Sequence, residues 1–332
     1  MSKTFSGLLS SFLLTYLPRT RGCSTNTVST YRDAFVLFFR FMASERDVLP
    51  DAVGLDDLSK SNVVAFLEWL EISRGSGVNS CNNRLAVLKS FSRFVQLEAP
   101  EWIDKVKTVS DIKAKKTAQP EIAYLSVKAI ELLLKEALAS GGIRDAALLS
   151  LLYDTGARVQ EVADIVISDI QLEKPSTVKL TGKGKKTRIV PLTQQAVPIL
   201  KKHLAMLKPL FGDNHLFLNW KGEPIGRAGI AYILNKHTTA VNNAHPDIMP
   251  PKTTPHMLRH SKSMHLLENG VNLIYIRDLL GHESVITTEV YAKANPEVKR
   301  KAIETNSATI MEESFFNKNT QTDLLDWLRE MI

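Results

Sequence analysis

Four residues in the last quarter of the chain have types and spacing suited to work on a phosphate: His256, Arg259, His282 and Tyr291. The three-residue step from His256 to Arg259 puts both side chains on one face of a helix. Pro255 suits the first turn of such a helix, where a missing N–H is harmless, and Thr254 can cap it. The stretch Leu280-Gly281-His282 then reads as a turn, with Thr287-Thr288 and Tyr291 beyond it. Two imidazoles, a guanidinium and a phenol converging describe a site that holds a phosphate beside a phenolic nucleophile. A His-x-x-Arg pair alone is commonly a solvated helix face, and a single Tyr is commonly packing. Order and spacing, together with two earlier cations, are what set these residues apart. Arg158 follows the turn Asp154-Thr155-Gly156-Ala157, and Lys183 lies between Gly182 and Gly184.

The elements that must position these groups follow from periodicity. Apolar residues from Phe5 to Leu17 recur at helical spacing and stop at Pro18. Ser24 or Thr25 opens a second helix through Phe35, Phe38 and Met42. Ser59 or Ser61 opens a third, which Gly75-Ser76-Gly77 breaks, and Asn79 caps a fourth through Leu88, Phe91 and Val95. Residues 1–100 thus read as a helical domain. Residues 101–120 carry Lys105, Lys107, Lys113, Lys115 and Lys116, lose the apolar period, and read as a basic linker. Residues 121–310 read as a second domain. Its helices begin after Ser126, and its period switches to alternation at Val178-Lys179-Leu180 and Arg188-Ile189-Val190-Pro191-Leu192. These two strands form a hairpin with Lys183 at its tip. Leu273 to Leu280 reads as a helix stopped by Gly281, and Ser284 to Tyr291 and Pro296 to Glu304 read as further short helices. Residues 311–332 are a tail ending in the amphipathic run Leu324, Leu325, Trp327, Leu328. The fold class is mostly α with a small β-hairpin or sheet.

The 332 residues suit two domains, and 44% hydrophobic residues give each a core. A formal charge of +7 favours a polyanionic partner. Cys23 and Cys81 supply neither a disulfide framework nor a metal cluster. No charged leader with a long apolar run and no membrane-length apolar stretch stands in the sequence, so a reduced, cytoplasmic setting is expected, with no membrane partner.

With Arg158, Lys183, His256, Arg259, His282 and Tyr291 in order, the chain resembles the tyrosine site-specific recombinases of the phage integrase family. Thr155-Gly156-Ala157-Arg158 with Glu161 resembles the family's first Arg box. Gly182-Lys183-Gly184 before Arg188 to Leu192 resembles its Lys hairpin. His256 to His260, Leu280-Gly281-His282 and Thr287 to Tyr291 resemble its second box. Val159-Gln160 depart from the small residues frequent after the first Arg. The resemblance implies an N-terminal four-helix core-binding, SAM-like domain and a C-terminal tyrosine-recombinase catalytic domain.

It also implies a reaction without metal, cofactor or ATP. Arg158 and Arg259 would clamp the non-bridging oxygens, and His282 would donate a further hydrogen bond. Tyr291 would attack and become a 3′-phosphotyrosine. His256 is the candidate base and Lys183 the candidate acid for the departing 5′-oxygen. Glu161 would buttress Arg158, and no role is assigned to His260. The implied partners are double-stranded DNA with inverted-repeat core sites, further copies of the chain in a tetramer, and a related recombinase. The tail, with Trp327, would pack on its own domain or dock on a neighbouring copy. A mobile-element integrase or transposase is the first reading. A chromosome-dimer resolvase of the Xer kind, a topoisomerase similar to type IB, and an inactive DNA-binding regulator are the alternatives.

Overall fold

The computed structural model describes residues 4–117, 123–207 and 214–281 with Arg329, and only the backbone of Lys183. The chain divides into two compact units, Met1–Pro120 and Glu121–Ile332. His282, Tyr291, the expected helices over 284–291 and 296–304, and the tail apart from Arg329 lie outside the described residues.

The first unit is helical: α1 (Phe5–Ser11), a π-helical stretch (Phe12–Thr20), α2 (Thr25–Arg46), α3 (Lys60–Ile72), α4 (Val78–Glu98) and α5 (Ile103–Ser110). Thr4, Ser24 and Ser59 each accept an N–H of the first turn that follows them, satisfying donors a helix start leaves unpaired. Three local expectations change. Pro18 does not end the first helix but sits inside the π-helical stretch. A wider turn accommodates a residue that lacks the N–H and crowds the carbonyl four positions back. The cap of α4 is Gly77, whose extended backbone offers its carbonyl to the N–H groups of Ser80 and Cys81, so Asn79 lies inside the helix. And the segment from 103 is not linker, because α5 buries Val106 and Val109 completely, and Ser92 Oγ donates to the Val106 carbonyl at 2.5 Å. Val106, Val109 and the buried Ile112 repeat every three residues, a short apolar stripe that the surrounding lysines obscure. Further on, Asn82 pairs with both backbone groups of Lys115, at 2.9 and 3.0 Å. The core is aromatic: the Phe91 ring lies 5.3 Å from those of Phe5 and Phe12 and 5.1 Å from that of Phe35.

The second unit comprises α6 (Val127–Ser140), α7 (Gly142–Thr155), α8 (Val159–Ala163), β1 (Ile170–Gln171), β2 (Thr177–Thr181), β3 (Thr187–Pro191), α9 (Ala196–Met206), α10 (Arg227–Ala244), α11 (Pro255–Glu268) and α12 (Leu273–Leu280). Helix α7 is apolar on every side, with Ala146 to Leu149, Leu151 and Leu152 buried, and packs against α6, α9 and α11; a helix hydrophobic all round belongs in a core. The strands form an antiparallel sheet in the order β1-β2-β3. The two-residue β1 adds to the expected hairpin, whose register pairs Leu180 with Arg188 and Val178 with Val190.

Since α5 belongs to the first core, Val106→Asp should bury a carboxylate without a partner and destabilise that unit by several kcal/mol. Denaturant unfolding of the full chain followed by hydrogen exchange checks this. Wild-type amides of Ile103–Ser110 should exchange slowly; free exchange there would return the segment to the linker.

Candidate active site

The first expected arginine, Arg158, is placed by a change of helix. Helix α7 ends at Thr155, Gly156 caps it, and Arg158 is the extended N-cap residue of α8. The Arg158 backbone N–H donates to Glu161 Oε2 at 2.8 Å, and its Nη1 donates to Oε1 at 2.9 Å. One carboxylate therefore fixes both ends of Arg158. Its side chain stays about one-third exposed (36%), while the Glu161 side chain is buried.

The second arginine sits on α11. Thr254 accepts the Met257 N–H as N-cap and Pro255 occupies the first turn, as the sequence indicates. His256 is exposed in that first turn, and Arg259, one turn on, is 4% exposed. Arg259 Nη1 donates to the Gly156 carbonyl and Nη2 to the Leu280 carbonyl, both at 2.7 Å. Lower on the same helix, Lys262 meets Asp154 at 3.3 Å and His265 Nδ1 lies 2.8 Å from the Tyr153 hydroxyl, so α11 is fastened along the end of α7. Burial, with the Asp154 charge beside it, pushes the Tyr153 phenol up to about 12.

The end of α12 gathers these parts. The last carbonyls of a helix have no partner within it. Here Arg188 Nε donates to Leu279 at 2.8 Å, Arg259 to Leu280 at 2.7 Å, and Arg158 Nη2 lies 3.4 Å from the Gly281 carbonyl. Gly281 takes a left-handed φ of 62°, and a Cβ there would lie 2.9 Å from Arg188 Nη1; the position needs glycine for conformation and for space. His282 is the next residue in the sequence.

Arg188 also faces Glu161, donating to Oε1 at 2.9 Å and to Oε2 at 2.7 Å. Burial would raise the Glu161 pKa, but the hydrogen bonds and charge of Arg188, with the bonds from Arg158, outweigh it and hold the carboxyl at about 2. The hairpin closes against the same carboxylate. A Cβ on Gly182 would lie 2.9 Å from Glu161 Oε1, so only a glycine permits that approach. Lys183 begins the tight turn at the hairpin tip, where the Gly182 N–H donates to the Lys186 carbonyl at 2.8 Å. His260, one turn after His256 with the rings 6.4 Å apart, has its pKa lowered by burial and by the nearby His256 and Arg259.

Of the six expected residues, the fold thus brings Arg158 and Arg259 to one turn, puts the Lys183 backbone on the adjacent hairpin, and puts His256 one turn ahead of Arg259. Arg188, which bonds both Glu161 and the end of α12, is a residue of this cluster that the motif spacing does not single out. Its signal was the phase of β3: Ile189 is exposed at 72% while Val190 is buried, so Arg188 sits on the inward face, where a cation requires a carboxylate.

Residues 123–297 match the phage integrase family, and residues 11–99 match the phage integrase N-terminal SAM-like domain. The chain belongs to the phage integrase family. It is a tyrosine recombinase, of the class of enzymes that break and rejoin DNA strands. Among its relatives, the "Putative integrase/recombinase y4rC" of Sinorhizobium fredii is 32% identical over 89% of this chain and 90% of its own length. A tyrosine recombinase XerD of Listeria monocytogenes is 32% identical over 82% of this chain and 89% of its own. Among solved structures, the Tn1549 transposon integrase in complex with transposon right end DNA superposes with a TM-score of 0.69 at 19% identity, covering 91% of this chain and 99% of that one. The XerH recombinase in a post-cleavage complex gives 0.66 at 23% identity, over 91% of this chain and 84% of that one. At those identities the structures establish a shared tyrosine-recombinase fold. All six expected residues fall within the catalytic-domain match.

The Glu161 carboxylate, held at about 2 when folded and near 4.3 when unfolded, contributes stability that is complete above about pH 5 and lost as pH falls toward 2. The contribution is about 3 kcal/mol. The difference in unfolding free energy between wild type and Glu161→Gln should therefore be largest near neutrality and shrink on acidification; a difference independent of pH would refute the assignment.

Proposed function

We propose that this tyrosine recombinase cleaves and rejoins double-stranded DNA at defined sites through a covalent 3′-phosphotyrosine on Tyr291. The observation that carries the reading is the convergence of Arg158 and Arg259 on the Leu280–Gly281 turn, immediately ahead of His282. A phosphodiester resists attack because its anionic oxygens repel a nucleophile. The positive charge of the two guanidiniums offsets that of those oxygens as the pentavalent transition state forms, and His282 adds a donor. The Tyr291 oxygen forms a bond to phosphorus while the bond to the 5′-oxygen breaks. His256 takes the phenolic proton, and Lys183 from the hairpin tip gives one to the leaving 5′-oxygen. The phosphotyrosine keeps the energy of the broken bond, so the reverse attack by a 5′-hydroxyl reseals the strand without ATP.

In this reading the N-terminal unit is the core-binding domain and contacts the duplex. Lys113 and Lys116 of the basic run contribute phosphate contacts. Four protomers act on paired inverted-repeat core sites, exchanging strands through a four-way junction. The setting proposed is a mobile element, in keeping with the y4rC relative's integrase name and the likeness to a transposon integrase. Chromosome-dimer resolution is the second reading, supported by the XerD relative at 32% identity. Sequencing the DNA trapped covalently on the protein separates the two: element ends support the first, a single chromosomal site the second.

Tyr291→Phe is expected to abolish covalent attachment to a nicked suicide substrate while leaving DNA affinity intact; persisting adducts would remove Tyr291 from the role. Lys183→Ala should slow cleavage by about a hundredfold or more. A substrate with a 5′-thiol leaving group, which departs without a proton, should restore the rate, and an equal defect on that substrate would leave Lys183 as a phosphate contact alone.

A further inference from the structure

We propose that Arg188 is a positioning residue for strand cleavage: it neutralises the buried Glu161, so that this carboxylate can hold Arg158 in place without cancelling the charge Arg158 must present to the scissile phosphate. The proposal rests on the cleavage reading above.

The problem is one of charge. Glu161 grips Arg158 through its backbone N–H and its guanidinium, which fixes the side chain well. An isolated carboxylate–guanidinium pair is neutral, however, and a neutral pair attracts a phosphate poorly. The side chain of Glu161 is 2% exposed, so water does not screen its charge. Arg188 supplies the missing cation. Its two Nη groups reach both oxygens of Glu161, at 2.9 and 2.7 Å, while its own side chain is 14% exposed and turned from solvent. Arg158, on the other side, makes a single side-chain bond to Glu161 and keeps 36% of its side chain open. The buried guanidinium is thus the principal partner of the carboxylate, and the open one retains its charge. The cluster of one carboxylate and two guanidiniums leaves a net positive charge on the exposed side, where the phosphate would lie.

The third donor of Arg188 adds a mechanical role. Its Nε is bonded to the Leu279 carbonyl at 2.8 Å, and the residue itself is paired with Leu180, one pair before the Lys183 turn. The same side chain that balances Glu161 therefore ties the hairpin to the last turn before His282. Only a planar fork with three separated donor positions serves both partners; an ammonium could not.

The test compares Arg188→Met with wild type on two suicide substrates, one with an ordinary scissile phosphate and one with a methylphosphonate there, which carries one negative charge fewer. Rates are measured at saturating protein, with thermal unfolding and DNA affinity recorded alongside. On the ordinary phosphate the variant should form covalent adduct about tenfold or more slowly. On the methylphosphonate its deficit relative to wild type should shrink, because the charge it fails to supply is no longer needed. Adding Glu161→Gln to Arg188→Met should recover part of the lost rate. Equal deficits on both substrates, or a double variant no faster than Arg188→Met, overturn the proposal and leave Arg188 as packing. Should Arg188→Met not fold, Arg188→Gln, alone and with Glu161→Gln, gives the same comparison. Wild-type protein that forms no adduct at all would instead remove the underlying cleavage reading.

Discussion

The catalytic unit depends on how the C-terminal end of α12 is satisfied. A helix end exposes carbonyl oxygens with no partner and carries the negative pole of the helix dipole. Here Leu279, Leu280 and Gly281 direct those oxygens at Arg188, Arg259 and Arg158, residues drawn from β3, α11 and the α7–α8 turn. Three guanidiniums, which would repel one another in isolation, are drawn to one place by oxygens that need donors. The cations are gathered at Gly281, and His282 is the residue that follows it in the sequence. A structural necessity of helix termination thus becomes the means of concentrating positive charge at the proposed phosphate site.

Glu161 makes that concentration tolerable. Buried and held at a pKa of about 2, it stays ionised at any pH at which the protein would work on DNA. It accepts hydrogen bonds from two arginines and from the Arg158 backbone. Charged groups inside a protein persist only when paired and hydrogen-bonded, and every oxygen of this carboxylate has such partners. The close approach of Gly182 belongs to the same arrangement, since it lets the start of the hairpin turn lie against Glu161.

The N-terminal unit solves a different problem. Its core is built from phenylalanines of α1, α2 and α4 and the π-helical stretch, packed edge-to-face and tilted at centroid distances near 5 Å. Such rings bury large area with few rotatable bonds, which leaves the polar helix faces free to carry cations. The tie between Asn82 and Lys115 and the ion pair of Lys115 with Glu71 carry the basic segment along this unit after α5 ends.

How much was legible follows from the range of the interactions. Helix starts at Ser24, Ser59, Ser126 and Thr254, the stop at Gly281, the hairpin around Lys183 and the box residues Arg158 and Arg259 could all be read from the sequence. Each rests on contacts within a few residues or on a fixed motif spacing. Pro18 inside a π-helical stretch, Gly77 rather than Asn79 as a cap, and α5 within the first core could not be read so easily, because packing decided them against the local signal. Arg188 belongs to this second group. Its partners Glu161 and Leu279 are 27 and 91 positions away, and no local pattern specifies a bond across such separations. The sequence by itself determined which chemical groups are present and in what order. Only the tertiary structure decided that three of its arginines share one helix end and that two of them share one carboxylate, since that meeting is set by the geometry of unpaired carbonyls and buried charge.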